Sequence, residues 1–221
     1  MTNPEGEASP WRSRSAFDLD TVLRALVDSA CRLCNASIAS VSIVDGEFLR
    51  FRALSGGNPD FEAFLREHPF PVSATDRGNN AGRVLLTSAE SHIKDVLADP
   101  GYAFGDEPRL GNFRSLLGAP LLRDGKVIGV FQIGAPEPDA LTPRQIELVR
   151  TFADQAVIAI ENARLFHETR EALERQTATA EILKVIADSP TDLQPAFEAI
   201  AASANRLLGG SRPRCFASSA T

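Results

Sequence analysis

Residues 114–134, RSLLGAPLLRDGKVIGVFQIG, leave a folding chain few options. Two apolar runs flank Asp124-Gly125, and the charged residues between them gather at that turn. Asp-Gly suits a two-residue hairpin loop, because both central residues take φ > 0 there. Along the first run Leu117, Ala119 and Leu121 point one way, and Leu116, Gly118 and Leu122 the other. Both faces are apolar, as expected of strands covered on two sides. Pro120 has no N–H, so it belongs at a bulge or with its nitrogen facing away from a partner strand. The rest of the first domain is expected to close around this hairpin and to pack on a long helical pattern beginning at Thr142.

Upstream, Asp18 or Asp20 can cap a helix ending near Leu33, with Leu19, Val22, Leu23, Leu26, Val27, Ala30 and Leu33 at helical spacing. Strand patterns follow at 37–45 and 47–54, with a turn expected at Asp45-Gly46. Ala39, Val41 and Ile43 share one face; Ser40, Ser42 and Val44 share the other. That mixed second face suits a lining better than a dense core. Gly56-Gly57-Asn58-Pro59 breaks the sheet, and 60–67 reads as a short helix. The middle, 69–112, is rich in Gly and Pro, with short apolar pieces at 84–86 and 92–96. The first of these reads as a short strand that His92 and Asp95 follow. A long loop-rich stretch inside a domain is often a binding region.

The pattern from Thr142 carries apolar residues at Ile146, Val149, Phe152, Ala156, Ala159, Ala163, Phe166 and Leu173, and no Gly or Pro lies between Arg144 and Ser189. So long a helix suggests a coiled coil continuing past the globular part. Ala156, Ala159 and Ala163 permit close packing, either on the sheet or on a partner helix. A repeat follows, because 191–211 aligns without gaps on 17–37. The pairs Asp18/Asp192, Leu19/Leu193, Ala25/Ala199, Ser29/Ser203, Ala30/Ala204, Arg32/Arg206, Leu33/Leu207 and Ser37/Ser211 are identical. The expectation is a second copy of the first domain, begun with its first helix and not finished.

The chain of 221 residues has 43% hydrophobic and 24% charged residues, ordinary values for a globular protein. A net charge of −6 argues against a surface built to hold phosphate backbones, so no nucleic-acid partner is expected. No apolar run is long enough to span a bilayer, and the first residues have no apolar h-region. These features predict a cytoplasmic location, no membrane partner, and reduced thiols.

The order helix, two strands, loop-rich middle, hairpin and long exit helix resembles the GAF domain. GRVLLT (82–87), HIKDVLADPGY (92–102), FRSLLGAPLLRDGKVIGVFQIG (113–134) and LTPRQIELVRTFADQAVIAIENARLF (141–166) are similar to GAF segments of bacterial signalling proteins. The stretch 168–201 resembles the helical linker between consecutive GAF domains of sensor histidine kinases and nucleotide cyclases. The resemblance implies an α/β (α+β) fold: a central antiparallel sheet, helices on one face, a ligand pocket on the other, and a long C-terminal signalling helix. The expected organisation is a disordered tail at 1–15, a GAF domain at 16–166, a coiled-coil linker at 167–190, and an incomplete second GAF domain at 191–221.

The implied function is a cytoplasmic sensory module, of the kind found in two-component systems. It would bind an unidentified small molecule and relay the signal as a homodimer through its terminal helices to an output domain. No cofactor is identified. A dimerisation module without ligand and a small-molecule redox enzyme on the same fold are the alternatives. No nucleophile or acid–base pair stands out, so an enzyme is not expected. Cys31-Arg-Leu-Cys34 lies at the end of a helix, not at an N-terminus where the dipole lowers a thiol pKa, and it lacks two further zinc ligands nearby. A buried structural role is expected for both cysteines.

Family members that attach a bilin do so through a cysteine ahead of the hairpin; GDEPRLGNFRS has none. The Asn-Lys and Asp-Glu pairs of cyclic-nucleotide members are also missing from Gly134-Ala135-Pro136 and Gln145-Ile146. Around the implied pocket the sequence offers Phe51, His92, Asp95, Tyr102, Phe113 and Arg114 as ligand-binding residues. Phe48 and Phe70 are further candidates for its walls. Arg114 can pair with an anionic ligand through its planar fork, or make a structural ion pair with Asp95 or Asp106.

Overall fold

A computed structural model of the chain describes residues 19–72, 78–103 and 105–188. Both the expected N-terminal tail at 1–15 and the second-copy helix at 191–221 lie outside the described residues. The elements run α1 (Leu19–Leu33), β1 (Ile38–Asp45), β2 (Phe48–Gly56), α2 (Pro59–Glu67), β3 (Phe70–Pro71), α3 (Asn80–Thr87), β4 (Ser91–Ile93), α4 (Glu107–Gly111), β5 (Ser115–Arg123), β6 (Lys126–Ala135) and α5 (Pro143–Asp188). The strands form one antiparallel sheet in the order β3-β2-β1-β6-β5-β4.

The β5–β6 hairpin closes as its sequence predicts. Arg123 pairs with Lys126, and Asp124 (φ 51°) and Gly125 (φ 76°) both occupy the left-handed region. Pro120 pairs with Val130 just before a bulge at Leu121/Leu122, and β4 stops opposite Gly118, leaving the outer edge of β5 open beyond it. The first hairpin differs from expectation by one residue. Asp45 pairs with Phe48, so the loop is Gly46-Glu47, and only Gly46 has a positive φ, at 60°. A glycine at the first loop position selects the turn form that needs a single left-handed residue.

Residues 84–86 are helical rather than extended. Asn79 caps α3 by accepting from the Gly82 N–H at 2.6 Å, and Ser88 ends the helix in the left-handed region. These caps outweigh the β-forming tendency of a three-residue apolar run. The segment therefore supplies helix α3, and His92 belongs to β4 itself.

One face of the sheet carries a single large core. Ala39, Val41 and Ile43 from β1, Leu117, Ala119 and Leu121 from β5, and Phe131 and Ile133 from β6 meet Leu23 and Val27 of α1 and Val149, Ala153 and Ala156 of α5. Burial of Ala156 and Ala159 assigns those two small residues to the sheet. The start of α5 is a reciprocal cap: Thr142 N–H donates to Gln145 Oε1 at 2.8 Å, and Gln145 N–H donates to Thr142 Oγ1 at 3.4 Å. Gln145 Nε2 also donates to the Cys34 carbonyl at 2.6 Å, tying this start to the end of α1. The chain divides into two compact units at Ala163/Arg164. Within the second, Leu165, Phe166, Leu173 and Leu183 of α5 are exposed, and the other faces carry pairs such as Arg170–Glu174. No helix among the described residues is long and apolar enough to cross a membrane.

Candidate functional site

Opposite α1 and α5, the sheet is covered by α2, α3 and α4, and this face has two small apolar clusters in place of one core. Ile38, Leu54, Phe61, Ile93, Val96, Phe113 and Leu116 form the first. Leu49, Ala81, Val84 and Val130 form the second. Between them the sheet presents Ser42 and Gln132, and here a cavity of about 50 Å³ opens. Gly118 lets α3 approach: a Cβ there would stand 2.9 Å from both the Asn80 side-chain amide and Val84 Cγ2. Asn80 is buried and ties α3 to β4 and β5, its amide nitrogen donating to Ser91 Oγ (2.6 Å) and its oxygen accepting from Gly118 N–H (2.8 Å).

The cavity is lined by Ser42, Leu49, Phe51, Leu65, Phe70, Asn79, Asn80, Glu107 and Gln132, with His68 also on its wall. Glu107 sets its chemistry. It opens α4, is 9% exposed, and accepts a hydrogen bond from the Tyr102 hydroxyl at 2.5 Å. Burial drives its carboxyl pKa up to about 7, against a smaller lowering by the Tyr102 hydrogen bond. Burial and the adjacent Glu107 also push the Tyr102 hydroxyl pKa upward, so Tyr102 stays a protonated donor.

The structure places the six sequence-predicted residues at four locations. Phe51 lines the cavity. Tyr102 and Phe113 stand behind it in the first apolar cluster, Phe113 as a buried member and Tyr102 packed against it while reaching Glu107. Asp95 and Arg114 form a two-pronged ion pair apart from the cavity lining, with Arg114 Nε donating to Asp95 Oδ1 at 2.9 Å. That partner holds the Asp95 carboxyl below its ordinary range. His92 is on β4 with Nε2 3.4 Å from Ser115 Oγ, and burial lowers its pKa. Of the extra wall candidates, Phe70 lines the cavity, whereas Phe48 stacks with Arg50, 5.4 Å away.

Sequence reasoning missed Glu107, Asn79, Asn80 and Gln132. Gln132 did carry a signal, being the one polar residue inside the apolar run VIGVFQIG. Glu107 carried none, because an acid before proline in a Gly-rich loop reads as solvated surface.

A larger groove of about 420 Å³ runs along Arg83, Leu86, Thr87, Glu90, Ser91, Asp99 and Gly101. Its charges are already matched: Arg83 donates to both Asp99 oxygens at 2.7 and 2.9 Å, and Glu90 is paired with Arg150. The smaller cavity, with its charge uncompensated by any ion pair among the described residues, is the better candidate. Cys31 and Cys34 sit in the opposite core, where Cys31 Sγ donates to the Ala36 carbonyl at 3.1 Å and burial raises both thiol pKa values.

A curled antiparallel sheet, with helices sealing one face and a polar cavity on the other, defines a class of small α+β domains. Residues 16–161 match the family model described as the GAF domain, and the chain belongs to that family. Its fold is similar to a GAF domain/HD domain protein from Geobacter sulfurreducens (TM-score 0.57, 19% identity, covering 67% of this chain and 95% of that one). It is also similar to residues 122 to 287 of a methyl-accepting chemotaxis protein (TM-score 0.57, 24% identity, 68% and 93% coverage). A third similar fold is a type II free methionine-R-sulfoxide reductase from Thermoplasma acidophilum (TM-score 0.52, 16% identity, 66% and 96% coverage). Such identities speak to fold alone, and the fold accommodates both sensing and catalysis.

Proposed function

We propose that this chain is a cytoplasmic sensory module whose 16–166 domain binds a small molecule in the Glu107 cavity. In this reading, α5 relays occupancy as part of a homodimer to an output domain. The observation that carries it is on β6. Phe131 points to the helical face and stacks on Phe152 of α5 at 6.2 Å, while the next residue, Gln132, faces the cavity. A ligand that pulls on Gln132 therefore acts on a strand in contact with α5. To bias the helix, the ligand must bind its two arrangements with different affinity.

Phe51 is the proposed direct contact from the sequence set, with Tyr102 and Phe113 supporting the wall. His92, Asp95 and Arg114 are proposed to act at the flank. The exposed Leu165, Phe166, Leu173 and Leu183 support a helical partner, here a second copy, with 167–190 as the coiled-coil linker and 191–221 as the start of a second domain.

Native mass spectrometry of the chain after incubation with cell extract tests binding. A retained small molecule supports sensing, and a consistently empty dimer supports the dimerisation-only alternative. Sedimentation tests the relay: a monomer at tens of micromolar removes the route through α5.

A further inference from the structure

The cavity brings together groups that accept and orient hydrogen bonds around one buried acid. Glu107 receives a single described hydrogen bond, from Tyr102, at Oε2. Among the described residues its other oxygen has no donor. Side chains of Ser42 and Gln132 line the same space without a described hydrogen bond, and Asn79 uses its oxygen to cap α3, leaving its amide N–H groups for the cavity. His68 is the other titratable lining residue; it is exposed, and its Nδ1 lies 2.8 Å from the Phe64 carbonyl. Apolar Phe51, Leu65 and Phe70 complete the wall. A buried carboxylate without a counter-charge is among the costliest arrangements in a protein interior, and a cation relieves it.

We propose that the cavity takes the head group of a small organic cation with several N–H donors, an amidinium or guanidinium, which pairs with Glu107 and is oriented by Ser42 and Gln132. The inference rests on the sensory reading of the same cavity and names the chemistry of its ligand. A planar N–H fork matches a carboxylate edge in a way that a neutral amide does not. Size agrees, since about 50 Å³ holds on the order of four water-sized groups, the non-hydrogen content of acetamidinium. Anionic ligands are selected against, because among the described residues the only buried charge they would meet is negative.

The test titrates the full chain with acetamidinium chloride and, separately, with neutral acetamide of the same shape, following the side-chain amide NMR signals of Gln132 and Asn79. The work is done above the pH at which Glu107 ionises. Acetamidinium is expected to move those signals saturably and to bind at least about tenfold more tightly than acetamide, the worth of one charge-assisted hydrogen bond. Glu107→Gln is expected to abolish that preference. Ser42→Ala, which keeps the carboxyl and serves as a second variant should Glu107→Gln fold poorly, is expected to weaken acetamidinium binding by removing an orienting group, and unchanged binding in that variant overturns the inference. Equal binding of the two probes, an undiminished preference in Glu107→Gln, or no movement of the amide signals overturns the inference. Should cell extract load the cavity with a molecule lacking a basic nitrogen, the sensory reading stands and the cation inference falls. If neither extract nor probe fills it, both fall.

Discussion

The two faces of the sheet are built from the same strands and alternate residue by residue, yet they solve different problems. Toward α1 and α5 the buried residues form one continuous apolar core, and Val41, Leu121, Phe131 and Ile133 are buried to within 1%. Toward α2, α3 and α4 the apolar residues split into two groups around Ser42 and Gln132, and a carboxyl is buried between them. Continuous apolar burial stabilises the domain, whereas the interrupted face gives up that gain where a polar cavity opens. On the proposed reading, stability and recognition are segregated by the two-residue period of a strand.

The largest effect that can break this contrast comes from the sealed face. Phe131→Ala should cost about 3–5 kcal/mol in urea denaturation, the usual loss for a buried phenyl ring. A loss under about 1 kcal/mol would show that this core is not the main support. On the interrupted face, the dominant effect is pH. The Glu107 pKa is raised from 4.5 to about 7, so its contribution to stability is full below about 4.5 and is lost as pH rises through about 7. The upward shift corresponds to about 3 kcal/mol. Relative to Glu107→Gln, the wild type should lose about that much between acidic and mildly basic pH. His92, whose pKa is lowered, acts in the opposite sense, losing its contribution as pH falls below its unfolded value, and it is common to both proteins. Tyr102→Phe should cost about 1–3 kcal/mol where Glu107 is ionised, by removing that group's described donor, and less where it is protonated. Gln132→Ala, one residue from Phe131, should stay within about 1 kcal/mol in the same denaturation experiment, because its side chain faces a cavity rather than a packed core.

The sealed face was legible because its information is local and periodic. Leu19, Leu23, Val27 and Ala30 announce α1, Asp124-Gly125 announces the hairpin, and the Gly- and Pro-free run after Arg144 announces α5. Even the mixed face of β1 was readable, since Ser42 does line the cavity. What escaped depends on meetings between distant segments. Asn80 joins α3 to β4 and β5, and Glu107 is buried where it meets Tyr102 and cavity residues distant in sequence, such as Ser42 and Gln132. The exchange of a loop glycine from Asp45-Gly46 to Gly46-Glu47 turns on a one-residue register that apolar alternation leaves open. For Arg114 the sequence left open an anionic ligand or an ion pair with Asp95 or Asp106, and the structure shows the pair with Asp95.

The most direct measurement is the titration of Glu107 itself, by ¹³C NMR of its side-chain carboxyl in the full chain without added ligand. The account predicts a midpoint near 7, as burial beside Tyr102 requires. A midpoint near 4.5, that of a solvated glutamate, would mean the carboxyl lies in water and the interrupted face encloses no buried charge.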